Sequence, residues 1–483
     1  MLGLLVAMAL AALAHGLSGI GPASRPPPPS AVRSPSRSAA PALVRPGFLS
    51  GVVEGYYGPP WSAADTRSLL AFMAKQGFTT FVYAPKGDPY ARAKWNQPYP
   101  ASAFKRLRAI VLTARQDHIT FIYSVSPGLN IVYSQARDRQ ALLHKVQQVA
   151  GLGVRHFMLS FDDVPPVLYS AADRTAYPEG VGQAQSVLAN WLVAHMAGRG
   201  FRLLFTPTYY YGLGANPYWT ALKTDLAPEV DVIWTGPQVL SPSISGADAR
   251  AFSAAVGHPI VIWANYPVND YTYAVHAPRL FLGPFRGLGP TLPGAVAGIL
   301  ANPMQQAAAS EVALYTLASY LRTPSAYNPV AAFTKGVSLV GVGAPSAFRT
   351  LAEDASGSFL GGSLSPLPAL MTTYERTPTA AYGHALAVMF EAMAGAQIEL
   401  AIGLKSRALR TEVNPWAAEL SREGQDGLQA LTLLGTAGHH AAPAPGLTLA
   451  RADALALEHP PVWLDTTTPV LSFLKWAMAR AQS

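Results

Sequence analysis

One alternation constrains this chain more than anything else in it. Short apolar, β-branched runs at 50–54 (SGVVE), 79–83 (TTFVY), 119–125 (ITFIYSV), 155–161 (RHFMLSF), 202–206 (RLLFT), 230–235 (VDVIWT), 259–263 (PIVIW) and 295–300 (AVAGIL) are separated by stretches with helical spacing. Those stretches fall near 63–76, 102–117, 135–151, 181–198, 216–226 and 246–256, and another near 304–321 follows the eighth run. Only the connection between the seventh and eighth runs is irregular. Strands that alternate with helices must lie parallel, because each crossover carries the chain back to the same edge. Eight of them predict an α/β fold, a closed (β/α)8 barrel over 48–324.

An open, doubly wound sheet competes with the barrel. It normally carries a glycine-rich phosphate turn after the first strand. Here that turn is Gly55-Tyr56-Tyr57-Gly58-Pro59-Pro60, too bulky to cradle a pyrophosphate, and no GxxxxGK[ST] motif occurs. Beyond residue 324 the strand pattern stops. Segments 366–403, 414–435 and 468–482 are Ala/Leu-rich with helical spacing, so 325–483 reads as an α-helical domain packed on the barrel. Ahead of the barrel, residues 1–20 are apolar with a small-x-small triplet at Ala12-Leu13-Ala14. They predict a signal peptide, with an uncleaved membrane anchor as the alternative, and hence a secreted or cell-surface protein with no stable membrane span after processing. Residues 21–47 are Pro/Ser/Arg-rich and read as a solvated linker.

Charge and cysteine remove several function classes. The net charge is +8, but Arg25, Arg33, Arg37 and Arg45 all precede the first acid, Glu54. Half the excess lies in that leader, and no basic run remains to track phosphates, so nucleic acid is not an expected partner. With no cysteine there is no thiolate nucleophile and no Cys-ligated metal.

Catalytic groups of a barrel come from the C-terminal ends of its strands. Here those ends read Glu54-Gly55, Pro85-Lys86-Gly87-Asp88, Ser126 to Asn130, Asp162-Asp163, Thr208-Tyr209-Tyr210, Trp234-Thr235-Gly236-Pro237, Trp263-Ala264-Asn265 with Asn269-Asp270, and Asn302-Pro303. No histidine stands among them, so neither a metal centre nor a Ser-His pair is expected, and no cofactor is implied. Carboxylates, one lysine, amides, tyrosines and tryptophans fit a sugar subsite. Asp162-Asp163 is the sharpest signal. Two acids behind a buried strand must face a polar cavity or a cation, since burying unpaired carboxylates is costly. A helix N-cap is the plain alternative, but Val164-Pro165-Pro166 does not begin a helix well. Lys86 can also be a solvated loop lysine, Trp234 or Trp263 a core residue, and Glu54 a partner for a Lys or Arg at the mouth. His439-His440 lacks companion ligands.

Taken together, GVVEGYYGPPWS (51–62), YAPKGDPY (83–90), FIYSVSPGLN (121–130), FDD (161–163), FTPTYYYG (205–212), IWTGPQVLS (233–241), IWANYPVNDY (262–271), RLFLGPF (279–285) and GILANP (298–303) resemble glycoside hydrolase family 84. That family comprises β-N-acetylglucosaminidases, protein O-GlcNAcases and proteins historically named hyaluronidases. The resemblance implies a retaining exo-β-N-acetylglucosaminidase acting on terminal GlcNAc of a glycan or glycoconjugate. The substrate's own 2-acetamido group would be the nucleophile, through an oxazoline. Asp162 would hold the acetamido N–H, Asp163 would be the general acid and base, and Tyr210 would bond the acetamido oxygen. Trp263 would wall the acetyl pocket beside Thr235 and Val239, with Asn265 near the acetamido group. Gly55, Lys86, Asp270 and Asn302 would hold the sugar hydroxyls.

The chain departs from the family pattern at Gly87, Asn130, Tyr209, Ala264 and Met304. Strand alternation predicts that Ala264 faces away if Trp263 and Asn265 face the pocket. Two other readings follow from the same motifs: a GlcNAc-binding protein that has lost turnover, motivated by the missing acids, and an endo-acting hydrolase of hyaluronan, which needs an open cleft.

Overall fold

The computed structural model describes residues 47–198, 200–436 and 444–482. The expected signal peptide, the linker apart from Gly47, and His439-His440 lie outside the described residues. Eight parallel strands close into a barrel in sequence order: β1 (Leu49–Glu54), β2 (Thr80–Tyr83), β3 (Thr120–Val125), β4 (His156–Ser160), β5 (Arg202–Thr206), β6 (Asp231–Trp234), β7 (Ile260–Ala264) and β8 (Gly298–Ala301). β8 pairs with β1 to complete the ring, Leu49 opposite Gly298 and Val52 opposite Ala301. Buried on both faces, the strands are apolar over most of their length, as expected of parallel strands under helices.

Alternation sorts the strand residues into two cores. Leu49, Val53, Val82, Ile122, Met158, Leu204, Ile233, Val261 and Leu300 point inward and plug the barrel. Val52, Phe81, Tyr123, Phe157, Phe205, Trp234, Ile262 and Ile299 point outward into the helical shell. The helices start where capping chemistry allows. Ser62 accepts from the Asp65 amide at 3.2 Å ahead of Ala63–Gln76. Ser245 and Asp248 form a reciprocal capping box ahead of Gly246–Val256.

The β7–β8 connection is irregular, holding only the short helix Asp270–Ala274 and a 3-10 turn at Leu292–Gly294. That turn delays β8 to residue 298, three residues later than the apolar run predicts. Gly298 begins the strand where an added Cβ would overlap the Leu49 backbone.

The C-terminal region is helical, with corrections in detail. The expected segment 366–403 is two helices, Leu367–Arg376 and Ala380–Gly403. The next helix is Arg407–Thr436, starting before the expected 414 and running through Pro415. Two helices absent from the sequence reading, Pro329–Val340 and Pro345–Asp354, lead from the barrel into this region. Gly424 and Gly427 let Arg407–Thr436 lie tightly on Ala380–Gly403: an added Cβ at Gly427 would strike the Phe390 ring.

Among the described residues Ala380–Gly403 is the one helix long and apolar enough to cross a membrane. It places Leu386, Phe390, Met393, Ala396 and Leu400 in the core of this helical region. Several contacts tie the region to the barrel. Arg279 pairs with Asp465, Trp463 N–H donates to the Pro278 carbonyl at 2.8 Å, and Glu412 accepts from the Ala308 and Ala309 amides at 3.2 and 2.9 Å.

Candidate active site

The inward-facing series on each strand changes character toward the C-terminal mouth. β3 runs Ile122 to Ser124, β4 Met158 to Ser160, and β5 Leu204 to Thr206. The Ser124 and Ser160 hydroxyls pair at 2.8 Å, making a polar layer above the apolar plug. One more step of two residues reaches the cavity: Gly55 beyond Val53, Lys86 beyond Val82 and Ala84, Asp162 beyond Ser160, Thr235 beyond Ile233, Asn302 beyond Leu300, and Trp263 then Asn265 beyond Val261. All of these line a single cavity of roughly 490 Å3, together with Asp163, Tyr210, Val239 and Asp270. The volume suits a small-molecule pocket. Every site residue read from the sequence is therefore in one place. The sequence reading missed Tyr57, Thr206, Leu240, Val268, Tyr271, Tyr273 and Gln305 in the lining.

Asp162-Asp163 occupies a turn, not a helix cap; the next helix starts at Ala171. Asp162 is buried and paired with Lys86 through Oδ2, while its Oδ1 is buried without a partner. Burial works against its ionisation. The Lys86 ammonium and then the Arg92 guanidinium outweigh this and hold its pKa below the ordinary aspartate range. Lys86 is thus no solvated loop residue: it is buried against Asp162.

Asp163 has a left-handed backbone, φ 56°, a conformation that aspartate tolerates better than most residues. Two phenols grip its carboxylate, Tyr57 donating to Oδ2 and Tyr210 to Oδ1, each at 2.8 Å. Burial, then the charge of Asp163, raises both phenols well above the ordinary tyrosine pKa, so both remain donors.

The amide side of the pocket is chained together. Asn265 Nδ2 donates to the Val239 carbonyl at 2.8 Å, Asn302 Nδ2 to Asn265 Oδ1 at 3.0 Å, and Gly55 N–H to Asn302 Oδ1 at 3.3 Å. Asp270 accepts from the Tyr57 amide at 2.6 Å, and burial raises its pKa to about 6. Trp263 lies flat enough on Gly55 that an added Cβ there would overlap the indole; its Nε1 is buried without a partner.

The alternatives held open for other residues now resolve. Trp234 is core, stacked on Phe252 at 4.8 Å outside the barrel. Of the three consecutive tyrosines only Tyr210 lines the pocket. Glu54 does not pair with a Lys or Arg. It faces outward like Val52, accepts from the Trp61 amide at 3.0 Å, leaves Oε2 unpartnered, and burial lifts its pKa to about 8. None of Gly87, Asn130, Tyr209, Ala264 and Met304 lines the pocket. Ala264 packs into the outer core as alternation requires, and Asn130 accepts from Trp95 Nε1 at 2.6 Å. At Gly87 an added Cβ would overlap the Gly58 carbonyl, so this backbone leaves no room for a side chain.

A closed parallel barrel with a small pocket at its C-terminal mouth, two adjacent aspartates and an indole wall, defines the class: a barrel glycoside hydrolase. The particular family follows from comparison. The β-N-acetylglucosaminidase (NAGidase) family model matches residues 50–353, and the chain belongs to that family, the one its motifs resemble. It is 34% identical over 282 residues to the protein O-GlcNAcases of Rattus norvegicus and Mus musculus, a match covering 57% of this chain and 30% of each relative. The chain thus corresponds to under a third of those proteins. Among solved structures, a mutant of the Thermobaculum terrenum O-GlcNAc hydrolase superposes with TM-score 0.83 at 26% identity, covering 89% of this chain and 95% of that one. CpGH84B shares the fold at TM-score 0.78 and 24% identity, over 89% of this chain and 77% of its own.

Proposed function

We propose that the protein is a retaining exo-β-N-acetylglucosaminidase that removes terminal β-linked GlcNAc by substrate assistance. The observation that carries this is the state of the two aspartates. Asp162 is held ionised by Lys86 with one oxygen buried and unclaimed, and Asp163 is oriented beside it by two phenols. An ionised carboxylate with a free oxygen inside a pocket is an acceptor awaiting an N–H donor. The substrate acetamido N–H supplies it.

The acetamido oxygen attacks the anomeric carbon, the glycosidic C–O bond breaks, and the Asp163 proton passes to the leaving oxygen. Asp162 holds the N–H of the resulting oxazolinium. Water then adds to the anomeric carbon, Asp163 takes its proton, the C–O bond of the oxazoline opens, and the sugar leaves with retained configuration. A two-carboxylate mechanism would need a free nucleophile across the sugar. The other carboxylate lining the pocket, Asp270, is engaged by the Tyr57 amide and suits a sugar hydroxyl better. Exo action is supported by the pocket's size and by Asp270 and Asn302, which follow β7 and β8 on the side of the barrel away from Asp163 after β4.

The test is kcat/KM against leaving-group pKa for aryl β-GlcNAc glycosides. Asp163→Ala should lose roughly 100- to 10,000-fold on a methylumbelliferyl glycoside. It should lose little on a 3,4-dinitrophenyl glycoside, whose leaving group needs no proton. Asp162→Ala should lose similarly across the series. A bicyclic thiazoline should inhibit competitively and far more tightly than GlcNAc. A glycosyl-enzyme ester trapped on Asp270 or any carboxylate by a fluorinated sugar would overturn substrate assistance.

A further inference from the structure

We infer that Tyr57 is the positioning residue for the general acid: it fixes the carboxyl of Asp163 through Oδ2 and is the one phenol that stays on Asp163 when substrate binds. This rests on the reading of Asp163 as the acid.

Tyr57 is anchored through its backbone and its ring. Its N–H donates to Asp270 at 2.6 Å and its carbonyl accepts from Gln305 Nε2 at 3.0 Å. Two cations lie near its ring, the Arg92 guanidinium 5.5 Å and the Lys86 ammonium 5.9 Å from its centroid. Arg92 Nη2 also reaches the backbone carbonyl of Asp163 at 3.5 Å, so the stack that holds Tyr57 touches the same turn that carries the acid. The phenol therefore arrives at Asp163 from a fixed direction, and a carboxyl on a left-handed backbone is held by it.

The two phenols are not equivalent. The resemblance gives Tyr210 to the acetamido oxygen, which would remove one donor from Oδ1. Asp163 would then keep Tyr57 on Oδ2, and Oδ1 would be free to carry the proton toward the glycosidic oxygen. The groups facing Asp163 are Tyr57 after β1, Lys86 and Arg92 after β2, Asp162 on its own turn, Tyr210 after β5 and Asp270 after β7. Of these only the two phenols donate to its carboxylate.

The experiment is Tyr57→Phe, which keeps the ring beside the cations and deletes the donor. With a methylumbelliferyl glycoside, kcat/KM should fall roughly 10- to 100-fold, the scale of one hydrogen bond to a charged group. With a 3,4-dinitrophenyl glycoside it should fall less than about twofold, since that leaving group makes no demand on the acid. Competitive binding of the thiazoline, which uses Asp162 and not the proton of Asp163, should stay near wild type and shows that the pocket is folded. Equal losses on both glycosides would make Tyr57 a mere wall of the pocket and overturn the inference. So would a variant that behaves as wild type on both. A wild type that releases no phenol from any β-GlcNAc glycoside would overturn the glycosidase reading itself and this inference with it.

Discussion

The barrel mouth and the helical region both bury carboxylates, and they treat them in opposite ways. In the helical region the groups are satisfied. Glu423 accepts from the Thr466 and Thr467 hydroxyls, Glu412 from two helix-terminal amides, and Asp465 from Arg279 and the Gly357 amide. Among the described residues after 324, no buried side-chain nitrogen or oxygen lacks a partner. At the mouth, Asp162 Oδ1, Trp263 Nε1 and Arg92 Nη1 have none. An unmade hydrogen bond in the interior costs about 1–3 kcal/mol, so a fold keeps few of them. Glu54 Oε2 and Asp225 Oδ2 are also without a partner, but neither residue lines the pocket; among the described residues Asp162 alone joins an unpartnered carboxylate oxygen to a place in the pocket lining, and that combination marks it as open to a ligand.

The largest effect that can break this contrast is at Asp162. Asp162→Asn keeps the shape and the contact to Lys86 but removes the charge that faces the developing oxazolinium. kcat/KM for any aryl β-GlcNAc glycoside should fall roughly 100- to 1,000-fold, the scale of one preorganised electrostatic contact. The thermal midpoint should move little. Steady-state kinetics and calorimetry on the same sample check it. A large loss of stability with activity retained would make Asp162 a structural acid like Glu423.

A paired substitution sharpens the same contrast at a smaller scale. Gly55 and Gly427 are both places where an added Cβ strikes an aromatic ring, Trp263 in one case and Phe390 in the other. Overpacking of this kind costs typically 1–3 kcal/mol. In Gly427→Ala that cost should appear in the thermal midpoint, reduced by up to about 1 kcal/mol of helix propensity, with kcat/KM unchanged. In Gly55→Ala the indole can shift into the open pocket, so the loss should appear in KM for the glycoside and hardly in the midpoint. Identical readouts from the two variants would mean the pocket wall is as rigid as the helix crossing.

Much of this was legible in the residues. Period-two alternation carries the inward series of each strand from the apolar plug to the mouth, and it finds Lys86, Asp162, Thr235, Trp263, Asn265 and Asn302 without any other information. Applied to β1, the same count puts Gly55 inward and Glu54 outward, so it already argues against Glu54 as a partner at the mouth. Tyr57 is two beyond Gly55, and the count would have reached it; reading residues 55–60 only as a failed phosphate cradle hid it. Tyr271, Tyr273 and Gln305 were not legible. They come from the irregular β7–β8 loop and from the chain after β8, where no period holds and position depends on tertiary packing. The helices at Pro329–Val340 and Pro345–Asp354 carry start signals, a proline at the first turn of each and an Asn328 cap.

The smallest effect concerns pH and lies in the helical region. Burial raises the Glu423 pKa to about 8, partly opposed by the Thr467 and Thr466 hydroxyls. An acid whose folded pKa lies above its ordinary 4.5 binds its proton more tightly in the folded state. The folded chain then carries more protons than the unfolded chain between these values, and stability falls as pH rises through that window. The contribution is fully present below the ordinary carboxylate pKa and is lost as pH passes 8. Glu54 acts in the same direction in the barrel, whereas Asp162, with its lowered pKa, contributes stability that is lost only on strong acidification. Unfolding followed at pH 5, 6.5 and 8.5 should therefore show a falling midpoint. Glu423→Gln, neutral throughout, should match wild type at pH 5 and exceed it by about 2–4 °C at pH 8.5. Activity per folded molecule should be the same in both proteins, because Glu423 does not line the pocket and its carboxylate is bonded to Thr466 and Thr467 within the helical region. If the two midpoints instead run parallel across the three pH values, Glu423 is ionised in the fold, and the helical region tolerates a buried charge as the barrel mouth does.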